Sequence, residues 1–274
     1  MDPLVMGIVN VTPDSFSDGG LFLDPDAAID HGERLAGEGA AILDVGGEST
    51  RPGAEPVAAD RELERVLPVV AGLAATGATI SIDTTKAAVA QQALTNGATI
   101  VNDVSALRFD PDLAGVAADA NATTVLMHML GDPRTMQDDP RYDDVVSDVK
   151  AFLEERLAFA TAEGVAEERV WLDPGIGFGK TVEHNLTLID RLDEIAAIGR
   201  PVVFGASRKS FLGKLTGRRV DERVAGTIAV NLIAFERGAR IFRVHDVAPT
   251  VDALAVAAAT VSRRWTTSPS GTAG

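Results

Sequence analysis

The chain has 274 residues, contains no cysteine and carries a formal net charge of −15 at pH 7. These totals exclude a disulfide framework, and an acidic chain without a basic stripe is a poor match for the phosphate backbone of nucleic acids. Apolar residues make up 46% of the chain but occur in short runs, none of which is long enough to span a membrane. Because the N-terminus shows no secretory signal, the sequence predicts a cytoplasmic protein.

The acidic composition leads to a hypothesis about the solvent. The chain has few lysines but keeps many arginines and acidic residues. Concentrated salt screens the repulsion between neighbouring carboxylates, so such a surface indicates adaptation to high salt. The polar segment 266–274 has nothing to bury and is predicted to be a disordered tail.

Apolar runs that indicate strands alternate with segments that indicate helices along the whole chain. The predicted strands cover residues 4–11, 41–45, 79–83, 99–104, 123–127, 170–173, 201–206 and 239–244. The first helix is predicted to begin at Asp24 and Pro25 and to end at Gly39, and the second has apolar residues at helical spacing around Pro68. Later helices are predicted to begin near Lys86, Asp110, Tyr142, Glu183, Asp221 and Pro249.

Eight such alternations in about 250 residues predict a (β/α)8 TIM barrel of the α/β class, formed as a single domain by residues 1–265. A doubly wound open sheet is the alternative architecture. The barrel is favoured because polar residues follow every predicted strand. In TIM barrels the active site is built at the carboxyl ends of the strands.

The stretch 171–180 indicates a binding loop. Asp173 ends an apolar run, Pro174 stops the strand, and three glycines follow that would let a ligand approach the backbone. A nucleotide-binding P-loop is the alternative, since the stretch ends in Gly-Lys-Thr. Its first glycine position is Pro174, which has no N–H to donate to a phosphate, so that alternative is rejected. Lys180 is then predicted to be peripheral to the site.

An acid and an amide at two other strand ends are expected to converge with Asp173. A carboxylate flanked by amides suits a flat heterocycle with adjacent N–H donors, and Asp83, Asn102 and Asp173 supply such groups. The alternative is that each aspartate caps the following helix. That interpretation fits Asp83, which precedes a predicted helix, but not Asp173.

Basic side chains at the same end indicate an anion site. Arg243 and His245 are two residues apart on the last strand and are predicted to form a cationic pair that holds a diphosphate. In the run 207–210, Lys209 is the better candidate for the pocket, which leaves Arg208 for the solvent. Arg51 is a further candidate for an anion contact.

One amide at the end of the first strand is a candidate metal ligand. Asn10 is in register with Leu4, Met6 and Ile8, so its side chain is predicted to point to the barrel mouth, where it could bind Mg2+. The alternative is an asparagine that caps the turn.

Seven motifs occur in order over residues 6–247: MGIVNVTPDSFSDGG, DVGGESTRPGA, SIDT, VNDVSA, DPGIGFGK, GASRKSFLG and RVHDV. With these motifs the chain resembles the dihydropteroate synthase family, pterin-binding barrel enzymes of folate biosynthesis. The resemblance implies a Mg2+-dependent transferase in which 4-aminobenzoate displaces diphosphate from (7,8-dihydropterin-6-yl)methyl diphosphate. It also implies a homodimer.

The resemblance assigns roles residue by residue. The pterin would be held by Asp83, Asn102, Met127, Asp173, Phe178, Gly205 and Lys209. The diphosphate would be held by Asn10, Arg243 and His245, with Asn10 also on Mg2+. The 4-aminobenzoate would be framed by Thr50, Arg51, Pro52 and Ser210. The residues expected to act in catalysis are Lys209, Arg243, His245 and Asp83.

Two other functions stay open from the sequence. A pterin-dependent methyltransferase of the same superfamily would share the pterin aspartates but would not need Thr50, Arg51 or the pair Arg243 and His245. A non-catalytic pterin-binding paralogue would keep the pterin site alone.

Overall fold

Eight parallel strands close into a barrel in chain order in the computed structural model, which describes residues 2–12 and 24–262. The strands are β1 Leu4–Asn10, β2 Ile42–Gly46, β3 Thr79–Asp83, β4 Ala98–Asp103, β5 Thr123–Met127, β6 Val170–Asp173, β7 Val202–Phe204 and β8 Ala239–Val244. The last strand pairs with the first, with Met6 opposite Arg243. The predicted (β/α)8 barrel is therefore confirmed, and the open-sheet alternative is wrong because β1 and β8 are hydrogen-bonded neighbours.

Ten α-helices surround the barrel within the described ranges. They are α1 Pro25–Gly37, α2 Ala59–Ala74, α3 Ala87–Thr95, α4 Leu113–Asp119, α5 Val145–Ala162, α6 Val182–Asp190, α7 Leu192–Ala196, α8 Ser210–Thr216, α9 Val224–Glu236 and α10 Val247–Ser262. As predicted, Asp24 caps α1 by accepting from the Asp26 N–H at 3.1 Å. The helices α7 and α8 were not predicted, because they are too short to show a repeating pattern of apolar residues at helical spacing.

Two apolar layers follow from the alternation of side chains along the strands. Met6 points into the barrel with Ile42, Ile100 and Val125, whereas its neighbour Val5 packs outward against the helices. The barrel interior is thus filled with branched and long side chains, as in other barrels of this type. The floor of the barrel mouth, which lies at the carboxyl ends of the strands, therefore rests on a packed core.

Some predictions fall on residues that the structure does not describe. The predicted tail 266–274 lies outside the described residues, as do positions 13–23 of the long first loop. Among the helices that are described, none combines the length and the apolar character that crossing a membrane requires.

Candidate active site

A network of charged side chains forms the floor of the barrel mouth. Arg243 on β8 donates from Nε to Asp44 Oδ2 at 2.6 Å and from Nη2 to Asp83 Oδ2 at 2.7 Å. Asn102 on β4 donates from Nδ2 to the same Asp44 oxygen at 3.1 Å. Strands that are far apart in the sequence thus bring the predicted residues Asp83, Asn102 and Arg243 into one hydrogen-bonded group.

Asp44 at the centre of this network is a residue to which sequence reasoning gave no role. It is fully buried on β2, and its Oδ1 atom has no hydrogen-bond partner among the described residues. A buried acid in the middle of an otherwise apolar strand was the available signal, since such residues are buried only when they are paired. Asp44 orients the Arg243 guanidinium.

One of the two carboxylates that share this guanidinium, Asp83, has a raised pKa. The pKa of Asp83 is raised from 3.8 to about 7, and burial is the largest cause. The charge of Arg243 opposes this increase, and the neighbouring charge of Asp44 adds to it. For Arg243, burial lowers the pKa, but Asp44 and Asp83 outweigh burial and raise it. Arg243 therefore stays charged, and Asp83 is the group that can take up a proton near neutral pH.

The alternative interpretation of Asp83 as a helix cap is wrong. The N-terminus of α3 is instead capped by Asp110, whose Oδ2 accepts from the Ala87 N–H at 2.8 Å. Asp110 comes from the loop after β4, so its contact with α3 could not be seen from sequence spacing. Asp83 is thereby left to face the mouth and Arg243.

Asp173 lies at the end of β6, where the glycine-rich loop begins. It is buried, and its Oδ1 accepts from the Gly175 N–H at 2.7 Å. Burial raises its pKa, and the nearby charge of Lys209 lowers it. A β-carbon added to Gly205 would lie 3.9 Å from Asp173 Oδ2, so the backbone of the chain after β7 approaches this carboxylate closely.

The sequence suggested that the glycines of this loop let a ligand approach the backbone, but the structure shows a different reason why glycine is required there. Gly175 has φ +65°, and a β-carbon there would lie 1.8 Å from the carbonyl oxygen of His128. At Gly177 the obstacle would be the Lys209 stem, and at Gly179 it would be Leu130. The glycines are required because other parts of the protein pack against this backbone.

Lys209 reaches across the mouth to this loop. Its ammonium donates to the carbonyl of Ile176 and lies 4.4 Å from the centre of the Phe178 ring. Burial lowers the pKa of Lys209 to about 7, with Asp173 raising it and Arg243 lowering it. Lys209, Asp173 and Phe178 therefore share one side of the pocket.

Arg208 was predicted to face the solvent, but in the structure its side chain is paired with an acid. It forms a two-pronged ion pair with Asp246, at 2.9 Å from Nε and 2.6 Å from Nη2. Its backbone adopts φ +56°, which is uncommon for a residue with a side chain. This turn separates the directions of Arg208 and Lys209, and the ion pair with Asp246 stabilises it.

An apolar wall borders the acids. Met127, at the end of β5, is buried in a cluster with Val104, Met129 and Met136, and Phe178 packs against this cluster. Thioether and aromatic groups suit the face of a flat ring. The wall and the acids together describe a slot for a planar polar heterocycle.

Lys180, which was predicted to be peripheral to the site, is buried in the fold. It is only 4% exposed, and its ammonium lies 2.9 Å from His128 Nδ1 and 3.0 Å from the Phe178 carbonyl oxygen. Burial lowers the pKa of Lys180 well below its ordinary value, and burial together with the charge of Lys180 lowers the pKa of His128 to about 2. The side chain is thus buried behind the loop that carries Phe178.

His245, the predicted partner of Arg243 at the diphosphate, has a pKa that favours the neutral ring. Burial lowers the pKa of His245 to about 3, helped by the charges of Arg208, Arg243 and Arg51. Ser207 Oγ lies 3.0 Å from His245 Nδ1 and accepts from the His245 backbone N–H at 3.1 Å. Because that hydroxyl already accepts one bond, it is well placed to donate to Nδ1, which leaves the proton of the ring on Nε2.

The remaining predicted site residues lie around the rim. Thr50 and Asp83 line a cavity of about 380 Å³, together with Glu48, Lys86 and Phe109. Pro52 and Ser210 are exposed, the first in the loop after β2 and the second at the start of α8. The rim residues are thus carried on loops and at a helix start, while the acids are carried on strands.

Asn10 ends β1, where it pairs with Gly46 and is partly exposed. Its amide oxygen is a hard donor of the kind that Mg2+ prefers. Within residues 2–12 and 24–262, no group of three His, Asp or Glu side chains is arranged to hold a metal ion. A single protein oxygen fits Mg2+ when substrate phosphates and waters complete the octahedron.

The chain is similar to known proteins over almost its whole length. A family model described as "Pterin binding enzyme" matches residues 6–245. A dihydropteroate synthase of Escherichia coli strain K12 is 45% identical over 263 residues, which cover 96% of this chain and 93% of that protein.

Solved structures agree with these sequence comparisons. A dihydropteroate synthase of Xanthomonas albilineans with 4-aminobenzoic acid matches with a TM-score of 0.89 and 49% identity over 95% of this chain and 94% of that one. A structure of the synthase from the same organism in complex with 7,8-dihydropteroate matches with a TM-score of 0.86 and 46% identity, again over 95% and 94% of the two chains.

Proposed function

The chain belongs to the dihydropteroate synthase family of pterin-binding enzymes, and we propose that the residues at its barrel mouth carry the reaction of that family. The enzyme is a transferase of folate biosynthesis. The amine of 4-aminobenzoate displaces diphosphate from (7,8-dihydropterin-6-yl)methyl diphosphate and forms 7,8-dihydropteroate. The observation that carries this function is the near full-length identity to dihydropteroate synthases, on a barrel whose strand ends bring acids, amides and cations together.

The pterin recognition that we propose uses the acids of the floor. Asp173 and Asp83 would accept hydrogen bonds from the N–H groups of the pterin edge, with Asn102 beside them. Lys209 would donate to a ring nitrogen or carbonyl, in place of its present contact with the Ile176 carbonyl. Met127 and Phe178 would cover the ring faces. These assignments are supported by the burial of both carboxylates, because a buried acid needs a partner.

Diphosphate departure is the demanding step, because the aromatic amine is a weak nucleophile. The C–O bond breaks with its electron pair leaving on diphosphate, the amine nitrogen forms the new C–N bond, and the amine then loses a proton. Arg243 would stabilise the negative charge on the leaving group, and neutral His245 would donate from Nε2. The oriented Arg243 guanidinium supports this role, since preorganised donors cost little reorganisation in the transition state.

We propose Mg2+ as the cofactor, which the Asn10 amide oxygen would help to hold. When bound, the ion supplies charge stabilisation to the leaving group. The support from this chain is the hard oxygen donor that Asn10 presents at the end of β1. The protein residues themselves hold the diphosphate through Arg243 and His245.

The 4-aminobenzoate would be framed by Thr50, Arg51, Pro52 and Ser210. Arg51 suits the carboxylate of this substrate, because its planar guanidinium matches a carboxylate in a two-pronged contact. The electrostatic effect of Arg51 on His245 supports a position of the loop close to the site. Closure of the loop would exclude water, which would otherwise compete with the amine.

A homodimer is proposed on the helical side of the barrel. Leu186, Leu215, Val220 and Ile233 are large apolar side chains that are between 41% and 54% exposed. They lie on or next to α6, α8 and α9, which pack against one another. An exposed apolar patch on adjacent helices supports a second copy as its partner. The cytoplasmic location stays a prediction from the sequence.

A direct assay tests the function against the two alternatives. Purified protein is supplied with the pterin diphosphate and Mg2+, with and without 4-aminobenzoate, and diphosphate release is measured. We expect release that depends on 4-aminobenzoate. Pterin binding without such release would indicate the non-catalytic paralogue, and methyl transfer from a methylated folate would indicate the methyltransferase. The relatives named dihydropteroate synthase favour the synthase.

A further inference from the structure

The loop after β2, residues 47–57, is tied at its base by a cluster of charged side chains that no substrate assignment uses. The cluster consists of Glu48 in the loop, Glu62 on α2 and Lys86 before α3. Glu48 Oε1 accepts from the Val57 N–H at 3.0 Å, and Glu48 Oε2 accepts from the Lys86 ammonium. One carboxylate thus joins the start of the loop to its end and to the segment after β3.

Lys86 is held by a second acid. Its ammonium lies 2.6 Å from Glu62 Oε2, and the Glu62 side chain is 0% exposed. Burial raises the pKa of Glu62, which its contact with Lys86 partly offsets. For Lys86, burial lowers the pKa, but the hydrogen bonds of Glu48 and Glu62 outweigh burial and raise it. The lysine is therefore charged and is held between the two acids.

Stability alone is a poor explanation for this cluster. Burying an ion pair has a desolvation cost that often cancels the attraction between its charges. The Oε1 atom of Glu62 also lacks a hydrogen-bond partner among the described residues, which adds to that cost. An arrangement with little net stabilisation but fixed geometry fits a positioning role better.

The backbone at the start of the loop is pressed against α2. A β-carbon added to Gly47 would lie 2.7 Å from Val66 Cγ1 and 3.0 Å from Glu62 Cγ. Arg65 Nη1 also donates to the Gly47 carbonyl at 2.8 Å. The base of the loop is therefore closely packed against α2.

The middle of the same loop is more exposed than its base. Arg51, Pro52 and Gly53 are exposed, and Gly53 N–H contacts the Pro133 carbonyl at 3.2 Å. The neighbouring cavity is lined by Glu48 and Lys86 as well as by Thr50 and Asp83. A fixed base beneath an exposed tip limits the positions that the tip can take.

We propose that Glu48 and Lys86 are positioning residues that set where the loop 47–57 places Thr50, Arg51 and Pro52 over the second substrate. The inference rests on the proposed function, in which these three residues frame 4-aminobenzoate. Neither residue is assigned to the pterin or to the reacting atoms. Their effect is therefore confined to the step in which the loop closes over the amine.

The test compares the affinities for the two substrates in variants of Glu48 and Lys86. In Glu48→Gln, which keeps the Lys86–Glu62 pair, we expect the KM for 4-aminobenzoate to rise about tenfold. The Kd of the pterin diphosphate, titrated without 4-aminobenzoate by calorimetry, stays within about twofold of the wild-type value. Lys86→Met is expected to have the same effect. The double variant of Glu48→Gln and Lys86→Met is expected to add little, because both changes act through one contact. Lys86→Arg, which keeps the charge, is expected to keep most of the affinity for 4-aminobenzoate.

A matched control removes a similar interaction elsewhere. Arg191 is also held by two acids, Asp144 at 2.7 Å and Glu194 at 2.6 Å, and none of the three lines the cavity. Glu194→Gln is expected to leave both substrate constants unchanged.

Specific results would overturn the inference. An unchanged KM for 4-aminobenzoate in Glu48→Gln would do so, as would an equal loss of pterin and 4-aminobenzoate affinity, which indicates general damage to the mouth. If Lys86→Met fails to fold, Glu48→Gln decides. An inactive wild type contradicts the proposed function itself, whereas an active wild type with an unchanged Glu48→Gln variant contradicts this inference alone.

Discussion

Arg243 Nη2 donates to Asp83 Oδ2 at 2.7 Å, so the guanidinium proposed to hold the diphosphate is bound to a carboxylate proposed to hold the pterin. The two substrate groups are parts of one molecule, and the residues that recognise them are parts of one network. Asp44, which also accepts from Arg243 and is fully buried, completes this network. A change at any of the three residues is therefore expected to affect the other two.

Asp83→Asn is expected to change how stability depends on pH. The pKa of Asp83 is raised from 3.8 to about 7 in the folded protein, so its contribution is greatest below pH 4 and is lost as the pH rises towards 7. Between pH 5.5 and 8 the wild type should lose about 1–2 kcal/mol more of its free energy of unfolding than the variant. Urea unfolding at both pH values measures this difference, and parallel profiles would contradict the raised pKa.

Lys209→Ala is expected to weaken both pterin binding and turnover, because the variant loses the ammonium between the Ile176 carbonyl and the Phe178 ring. A lost charged hydrogen bond costs about 1.5–3 kcal/mol, which corresponds to a Kd at least about tenfold weaker. Calorimetry with the pterin diphosphate and steady-state kinetics measure the two effects. Lys214→Ala, on the exposed side of α8, is the control, and unchanged kinetics in Lys209→Ala would remove the assigned role.

Ser207→Ala is expected to disturb the tautomer of His245. The Ser207 hydroxyl lies 3.0 Å from Nδ1, and without it the ring is free to carry its proton on either nitrogen. The 15N chemical shifts of the His245 ring should move towards a mixture of tautomers. The rate of diphosphate release should fall about threefold to tenfold, in keeping with a loss of about 1 kcal/mol. Unaltered ring shifts in a folded variant would show that Ser207 does not set the tautomer.

Gly175→Ala is expected to destabilise the protein strongly. The new β-carbon would meet the His128 carbonyl oxygen at 1.8 Å, and the backbone would keep an unfavourable φ of +65°. We expect a loss of more than about 3 kcal/mol in the free energy of unfolding. Gly53→Ala is the control: its φ is +80°, but nothing lies within 4 Å, so it should cost only about 1–2 kcal/mol. Equal losses in urea unfolding would mean that the clash is relieved.

Salt is expected to stabilise the protein. With a net charge of −15, repulsion between surface carboxylates opposes the folded state in dilute buffer. The Debye length falls from about 10 Å at 0.1 M to about 3 Å at 1 M, so molar KCl screens this repulsion. The midpoint of thermal unfolding and the rate of diphosphate release should both rise between dilute buffer and 1 M KCl. If neither changes, the hypothesis of adaptation to high salt is wrong.

Prediction from the sequence was most successful where the signal is local. The alternation of apolar runs with helical segments placed all eight strands, because a buried parallel strand must be apolar over its length. The polar residues that interrupt the ends of those runs stood out for the same reason. Asp83, Asn102 and Asp173 were found in this way, and Lys209 was found in the polar run that follows the seventh strand.

Non-local contacts could not be predicted. Asp110 caps α3 from another loop, which changed the interpretation of Asp83. Lys180, the last residue of the glycine-rich stretch, is buried against His128 of the preceding strand end. Such partners are chosen by how loops fold back on the barrel, and spacing along the chain carries no information about that choice.

The sequence by itself determined the barrel, the end at which its site lies and the chemical types gathered there, because strand periodicity and glycine or proline breaks act over a few residues. Only the tertiary structure decided how those groups are paired and charged. Asp44 with Arg243, Ser207 with His245 and Glu48 with Lys86 are brought together by barrel closure and loop packing. Their proton affinities depend on the burial that this packing creates, and burial is a property of the whole fold.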